Sequence, residues 1–400
     1  MKFNKWTVGL AAVGVVSLAS AARADEKMSA LQTALSNTTF SGYVDTAATW
    51  RPGTDQTPAG GPNLPGYSFA KNDGFSLNAV DIAIDKPEDD SPWAAGYHVE
   101  WMVGPDAVVT TPAGANTGIR QAYLTLRTPV GNGLDWKVGV WDTIVGYESN
   151  SDPLNPNYTR SYGYTMEPTT HTGVLATYKI NDMLTVQAGM ADGSNVAGGP
   201  GGLNGVSTIE SQKAYMGDIQ FTAPDSAGWA KGATMTVAII NSDGTGAANP
   251  GSTSLYAGMT LPTPVSILKI GSCFDYLDIH NGHILGNSSD DSVWNIAFYG
   301  SVQATDKLSF NLRAEYLSTA DLSIADANAI LGGVAGVYGK NTAEELTATV
   351  QYNLWANVIS RAEIRWDHTE HNNGVGANPA AGVPFRNNDF LLALNLIYQF

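Results

Sequence analysis

From Thr38 onward, apolar and polar residues alternate one by one through segment after segment. At the C-terminus Phe390, Leu392, Leu394, Leu396, Tyr398 and Phe400 form one row, while Ala393, Asn395 and Gln399 stand among Leu391 and Ile397 in the other. Trp93, Ala95, Tyr97, Val99, Trp101 and Val103 alternate with a row that holds His98 and Glu100. Leu308, Phe310, Leu312, Ala314 and Tyr316 alternate with Ser309, Asn311, Arg313 and Glu315. Val358, Ala362, Ile364 and Trp366 alternate with Arg361, Glu363, Arg365 and Asp367. A period of two residues is that of a β-strand with unlike faces. In these strands every charge falls on one face.

The spacing predicts sixteen strands, at 38–50, 74–85, 93–103, 118–127, 134–142, 171–179, 184–191, 212–222, 232–241, 253–261, 265–275, 292–303, 307–318, 345–354, 358–368 and 388–400. Long gaps, such as 143–170 and 319–344, alternate with short ones, such as 179–182, 303–307 and 354–357. An even strand count with loops long at one end and short at the other is the layout of a transmembrane antiparallel β-barrel. A soluble sandwich also alternates, with its apolar row toward the core. It has no reason to gather its long loops at one end, or to crowd Trp93, Trp101, Trp136, Trp294, Trp366 and Tyr398 onto its uncharged faces near strand ends. In hydrocarbon an unpaired strand edge costs several kcal/mol per backbone group, so the last strand is expected to pair with the first.

The N-terminus sets the compartment. Residues 1–24 carry Lys2 and Lys5, an apolar stretch and then Ala22-Arg23-Ala24, the layout of a cleavable secretory signal ending before Asp25. Residues 25–37 read as a short periplasmic segment of unassigned structure, and 38–400 as the barrel. Only 14% of residues are charged, against about 25% in ordinary soluble domains, so composition also favours the membrane. Removing the leader takes three basic residues from a chain whose formal charge is already -16. A chain this acidic will not seek nucleic acid. Cys273 is the single cysteine, which rules out an internal disulfide framework. No cofactor is implied.

With about sixteen strands the interior is too wide for side chains to fill, and water remains. The inward row is mixed in charge, with Asp81, Asp85, Glu100, Lys137, Lys269 and Arg313 among its members. The loop at 143–173 is long, aromatic and charged, with Tyr147, Tyr158, Tyr162 and Tyr164, which argues for a functional loop over a disordered one. Other loops are acidic, through Glu210, Asp243, Asp290, Asp291, Asp321, Glu344, Glu345 and Glu370, and imply modest cation enrichment at the mouth.

Within the 143–173 loop, Gly146-Tyr147-Glu148, Asn157-Tyr158-Thr159-Arg160-Ser161-Tyr162 and His171-Thr172-Gly173-Val174 resemble the segment shared by the beta-barrel porins of the OmpL-like family. Thr159 stands where that family's pattern has Ser, a departure that leaves Arg160 in place. The resemblance implies a porin of the Gram-negative outer membrane, passing small hydrophilic solutes or ions by diffusion among outer-membrane lipid. The C-terminal strand ending in Phe400 resembles the signature that the barrel-assembly machinery reads. Sixteen-stranded general porins fold their third external loop into the lumen. By that analogy Glu148, Asp152, Arg160 and Glu167 are expected near the middle of the channel. Wall residues Arg313, Glu315, Arg361, Glu363 and Arg365 are expected to share the constriction, with the arginines opposite the loop and a transverse field between them. A loop packed over the mouth as a lid is the alternative.

Two rival functions stand beside the porin. A structural or adhesion barrel would need no open channel. A lipid hydrolase would need Ser and His with an orienting partner. His98, His171, His280, His283, His368 and His371 sit in no nucleophile-elbow or zinc-hydrolase pattern. The pairs His280–His283 and His368–His371, and the stretch 287–292, are candidate but weak metal sites. Lipid-facing and subunit-facing rows look alike, so the sequence leaves monomer and homotrimer both open.

Overall fold

A computed structural model describes residues 37–52, 73–111, 115–193, 213–242, 251–280, 291–322, 339–370 and 387–400. The expected leader and nearly all of the segment at 25–37 lie outside these residues, as do Glu210, Asp243, Asp290, His283, His371 and most of 287–292. Sixteen strands run as β1 Thr39–Trp50, β2 Gly74–Lys86, β3 Ala95–Val103, β4 Thr117–Thr128, β5 Leu134–Asp142, β6 Thr170–Lys179, β7 Leu184–Ala191 and β8 Ala214–Thr222. They continue as β9 Thr234–Ser242, β10 Gly251–Pro262, β11 Leu268–His280, β12 Asp291–Gln303, β13 Leu308–Leu322, β14 Gly339–Trp355, β15 Val358–Thr369 and β16 Asn388–Gln399. Each is antiparallel to its neighbour, and β16 closes on β1, giving one closed barrel. Backbone bonds of 3.0 Å in both directions between Gly42 and Phe400 pin the last residue to the first strand. Among the described residues no helix is long and apolar enough to cross a membrane.

Burial is inverted relative to a water-soluble protein. On β16 the outward Leu394 is 53% exposed and the inward Leu391 only 1%. Phe298, Leu312, Leu346, Ile364 and Leu396 likewise face out, while Arg313, Glu345, Arg365 and Asp367 are fully or almost fully buried inside. Acyl chains around the barrel remove the outward row from water, worth about 1.5–3 kcal/mol for each large apolar side chain.

The connections keep the expected long-short rhythm. In the turn between β6 and β7, Asn181 accepts from the backbone N–H of Met183 at 2.8 Å and of Leu184 at 3.0 Å, an Asx turn. Asn357 turns β14 into β15 with φ of 65°. Trp93 also has φ of 65° and lies in the turn before β3, not in the strand as its alternation implies.

Two departures from simple alternation shape the interior. The β13–β14 hairpin is taller than the gap at 319–344 implies, because the strands run to Leu322 and from Gly339. Thr319 and Asn341 brace it, the Thr hydroxyl donating to the Asn carbonyl at 3.2 Å. Glu344 and Glu345 therefore belong to β14, not to a loop, and Glu345 is buried in the wall. On β4 the register shifts where Glu100 pairs Gln121 but Trp101 pairs Ile119, so Arg120 is an extra residue. Such a bulge lets consecutive side chains share a face, and both Arg120 and Gln121 reach Glu100 inside the barrel.

Candidate functional site

The loop between β5 and β6 folds on itself before it meets the wall. Asn155 accepts from the Ser149 N–H at 2.8 Å and donates to the carbonyls of Ser149 at 2.8 Å and Ser151 at 2.9 Å. A 3-10 turn at Asp152–Leu154 begins with Pro153 near its start, where the missing N–H costs nothing. Ser161 caps a short helix, α1 (Tyr162–Met166), its hydroxyl accepting from the Tyr164 N–H at 2.9 Å. Gly146 holds φ of 110°, and the Glu167 carboxyl fills the space a Cβ would take, so glycine is required there.

One side of the loop is seated on charged wall. Glu148 pairs with Arg313 of β13 at 2.7 Å and accepts the Ser161 N–H at 2.8 Å. Arg313 also donates to the Thr159 carbonyl at 2.7 Å and to Glu345 of β14 at 3.1 Å. Glu315 accepts the Tyr162 N–H at 2.9 Å, and Glu363 of β15 accepts those of Tyr158 and Thr159 at 2.6 and 2.9 Å. Arg361 donates to the Asn155 carbonyl at 2.5 Å. Arg365 donates to the Arg160 carbonyl at 2.6 Å and pairs with Asp367 at 2.7 Å. Arg160 pairs within the loop, with Asp152 at 2.6 Å, its guanidinium 5.5 Å from the Tyr164 ring centre.

The residues singled out in the sequence thus meet in one buried layer between loop and wall. The arrangement is contact, not opposition across water: Arg160, Arg313 and Arg365 have no exposed surface, and Glu148, Asp152 and Glu167 little. A charge stripped of water is stable only with partners at hydrogen-bonding distance. Each wall charge here has loop backbone or an opposite charge against it. Glu167 differs. Its neighbour is Asp275 of β11, and burial together with that like charge pushes its carboxyl well above the usual carboxylate range.

The other side of the loop rests on an apolar wall. Ile144, Val145 and Tyr147 pack against inward-facing Leu175, Ala191, Met216, Ala238, Ile240 and Cys273, with Tyr147 stacked on Tyr299 at 4.1 Å. Sequence reasoning misses this seat, because β6 to β11 carry apolar residues on both faces here, and the inward carboxylates Asp218 and Asp275 stand singly beside Met216 and Cys273. It also misses Arg120, which the bulge moves out of phase. Buried at the inner surface, Arg120 pairs with Glu100 and, at 2.7 Å, with Asp142.

Below the loop lies open space. A cavity of about 770 Å³ is walled by inner residues of β9 to β14 and roofed by Tyr147 and Pro153–Pro156. Its lining is chiefly hydroxyl and amide groups, with Lys269 as the charged member. His368 lies on β15, its ring stacked on Trp366 at 5.7 Å and its Nδ1 3.0 Å from Asn388. Among the described residues no group of three or more His, Cys, Asp or Glu side chains is placed to hold a metal.

A closed sixteen-stranded barrel with its longest described loop folded inward has the architecture of an outer-membrane porin. The chain belongs to the family described as "Putative beta-barrel porin-2, OmpL-like", whose profile matches residues 37–400. No curated protein sequence matches it. Among solved structures, OprB of Pseudomonas putida superposes with a TM-score of 0.59 at 12% identity, over 94% of this chain and 97% of that one. The outer membrane channel DcaP of Acinetobacter baumannii gives 0.57 at 14% identity, over 91% and 97%. A trimer form of OmpT, an outer membrane protein of Vibrio cholerae, gives 0.58 at 12% identity, over 91% and 99%. Family and fold place the protein in the outer membrane of a Gram-negative bacterium, among channels.

Proposed function

We propose that the protein is a diffusion porin, passing small hydrophilic solutes or ions through a lumen narrowed by the 143–169 loop. The observation that carries this reading is the loop's fixed position inside the barrel, above a water-accessible polar cavity of about 770 Å³. On this reading Glu148, Asp152, Arg160 and Glu167 set the eyelet's width together with Arg313, Glu315, Arg361, Glu363 and Arg365. They work by holding the loop in place, because their charges are spent on one another. Remaining freedom for solutes lies along the opposite wall, where Asp85, His98, Lys137 and Asp142 are partly exposed.

Purified protein in a planar bilayer is expected to conduct potassium chloride, and deletion of 150–160 is expected to raise single-channel conductance. A non-conducting wild-type protein would favour an adhesion barrel, and an unchanged conductance in the deletion would remove the loop from the constriction. Gly300, Ala348 and Ala362 leave a shallow apolar groove among Phe310, Leu312, Ile364 and Leu394 on the outer face. That groove supports assembly of copies, a homotrimer, read by cross-linking in detergent. The paired end at Phe400 supports recognition of the C-terminal strand by the assembly machinery, and removing Phe400 is expected to lower the amount of protein reaching the outer membrane.

A further inference from the structure

The cavity beneath the loop has a charge character unlike the rest of the chain. The protein carries 37 acidic residues against 21 basic ones, yet no carboxylate lines this space. Its polar lining includes Thr234, Thr236, Thr260, Asn311 and Gln351, and its one charged side chain is Lys269. Several other basic residues of the wall and turns are committed to carboxylates: Arg127 to Asp135 at 2.7 Å, Lys179 to Asp182 at 2.9 Å and Lys213 to Asp192 at 2.8 Å. Lys269 is exposed and makes no ion pair among the described residues.

An ammonium group in a water-filled recess keeps most of its hydration, so it needs no structural counter-ion. With no carboxylate in the same recess, its field reaches the solute, and the low-dielectric wall concentrates that field. Hydroxyl and amide groups around it both donate and accept hydrogen bonds. They therefore suit a solute that does the same. We infer that this chamber is a subsite for a small hydroxylated carboxylate, its carboxylate at Lys269 and its hydroxyls on the threonine, asparagine and glutamine side chains. The inference names the solute class of the diffusion pathway and rests on that reading. Lysine offers a point charge without a fixed fork, so binding is loose, with affinity on the order of millimolar.

Gluconate and glucose make the test, since both present a chain of hydroxyls and only one carries a carboxylate. Calorimetric titration of the full protein in detergent, at constant ionic strength, is expected to show gluconate binding about fivefold tighter than glucose. K269Q is expected to abolish the difference and K269R to retain it. Equal binding of the two solutes by wild type, or a preference that survives in K269Q, overturns the inference. A bilayer recording in potassium chloride separates the two readings. Conductance without gluconate preference leaves the porin and removes the subsite. Gluconate preference without conductance leaves the subsite and removes the diffusion pathway.

Discussion

The two seats of the inward loop obey different physics. Against β13, β14 and β15 the loop is held by directed contacts, with Glu148, Arg313, Glu363 and Arg365 each meeting a particular backbone or side-chain atom. Against β6 to β11 it is held by burial of Ile144, Val145 and Tyr147 on Leu175, Met216 and Ile240. Burial of apolar surface is non-directional and tolerates small shifts. Buried hydrogen-bonded charges tolerate none, since a displaced partner leaves an unpaired charge. The apolar seat therefore attaches the loop, and the charged seat fixes where along the wall it stops.

The sharpest way to break this comparison is Arg313→Ala. It strands Glu148, Glu315 and Glu345, all beside the guanidinium at 2.7 to 3.5 Å, in a buried layer. Removing one partner of a buried pair costs about 3–5 kcal/mol. The expected outcome is a marked fall in thermal unfolding temperature in detergent and a several-fold wider spread of single-channel conductances. A variant with a single wild-type conductance level would show that the directed contacts do not set the loop's position.

Ile240→Ala addresses the apolar seat. Ile240 is fully buried inside the barrel, and truncation of such a side chain costs about 2–5 kcal/mol, with the low end where neighbours relax into the space. The neighbours here include flexible Met216 and a loop, so the low end is expected. Stability should fall by less than in Arg313→Ala, and the conductance level should stay single. A split into several levels would mean that packing, not pairing, positions the loop.

What the sequence revealed follows the same division. Outward rows are legible because a lipid-facing charge is costly and none was placed there. Phe390 to Phe400 and Leu308 to Tyr316 announce strand, face and register together. The charged seat is legible for the same reason, as Arg313, Glu315, Arg361, Glu363 and Arg365 all fall in the opposite row. The apolar seat is hidden, because Leu175, Met216 and Ile240 have apolar neighbours in both rows and alternation carries no signal. Arg120 is hidden by the bulge, and Glu345, at the very start of the predicted 345–354 strand, reads as a loop acid because a strand that rises beyond the hydrocarbon loses its apolar outer row. Pairing distance is not written in the pattern at all. The rows place loop acids and wall arginines inside one lumen, and only the folded loop decides that they touch.

The smallest expected effect lies where the two seats meet. Glu167 faces Asp275, with Glu148 and Glu315 beyond it, while Cys273 and Tyr256 of the apolar wall stand beside Asp275 and Glu167. Arg313 is the cation of this neighbourhood, and it is engaged by Glu148 and Glu345. Burial first, and the Asp275 charge second, raise the Glu167 carboxyl, so between the ordinary glutamate value and the raised one the folded protein holds a proton that the unfolded chain has released. Stability then falls as pH rises through that window and is greatest below it. A salt bridge between two ionised groups weakens in acid instead, so the loss sought is on the alkaline side, and the Glu167 variant is what assigns it to this carboxyl. Unfolding temperature and conductance noise, compared at about pH 5 and about pH 9, should show a looser loop at the higher pH. Glu167→Gln keeps a donor toward Asp275 and cannot ionise, so it should flatten that difference. If wild type shows no alkaline loosening, or if Glu167→Gln keeps the full slope, the carboxyl pair is not what joins the two seats.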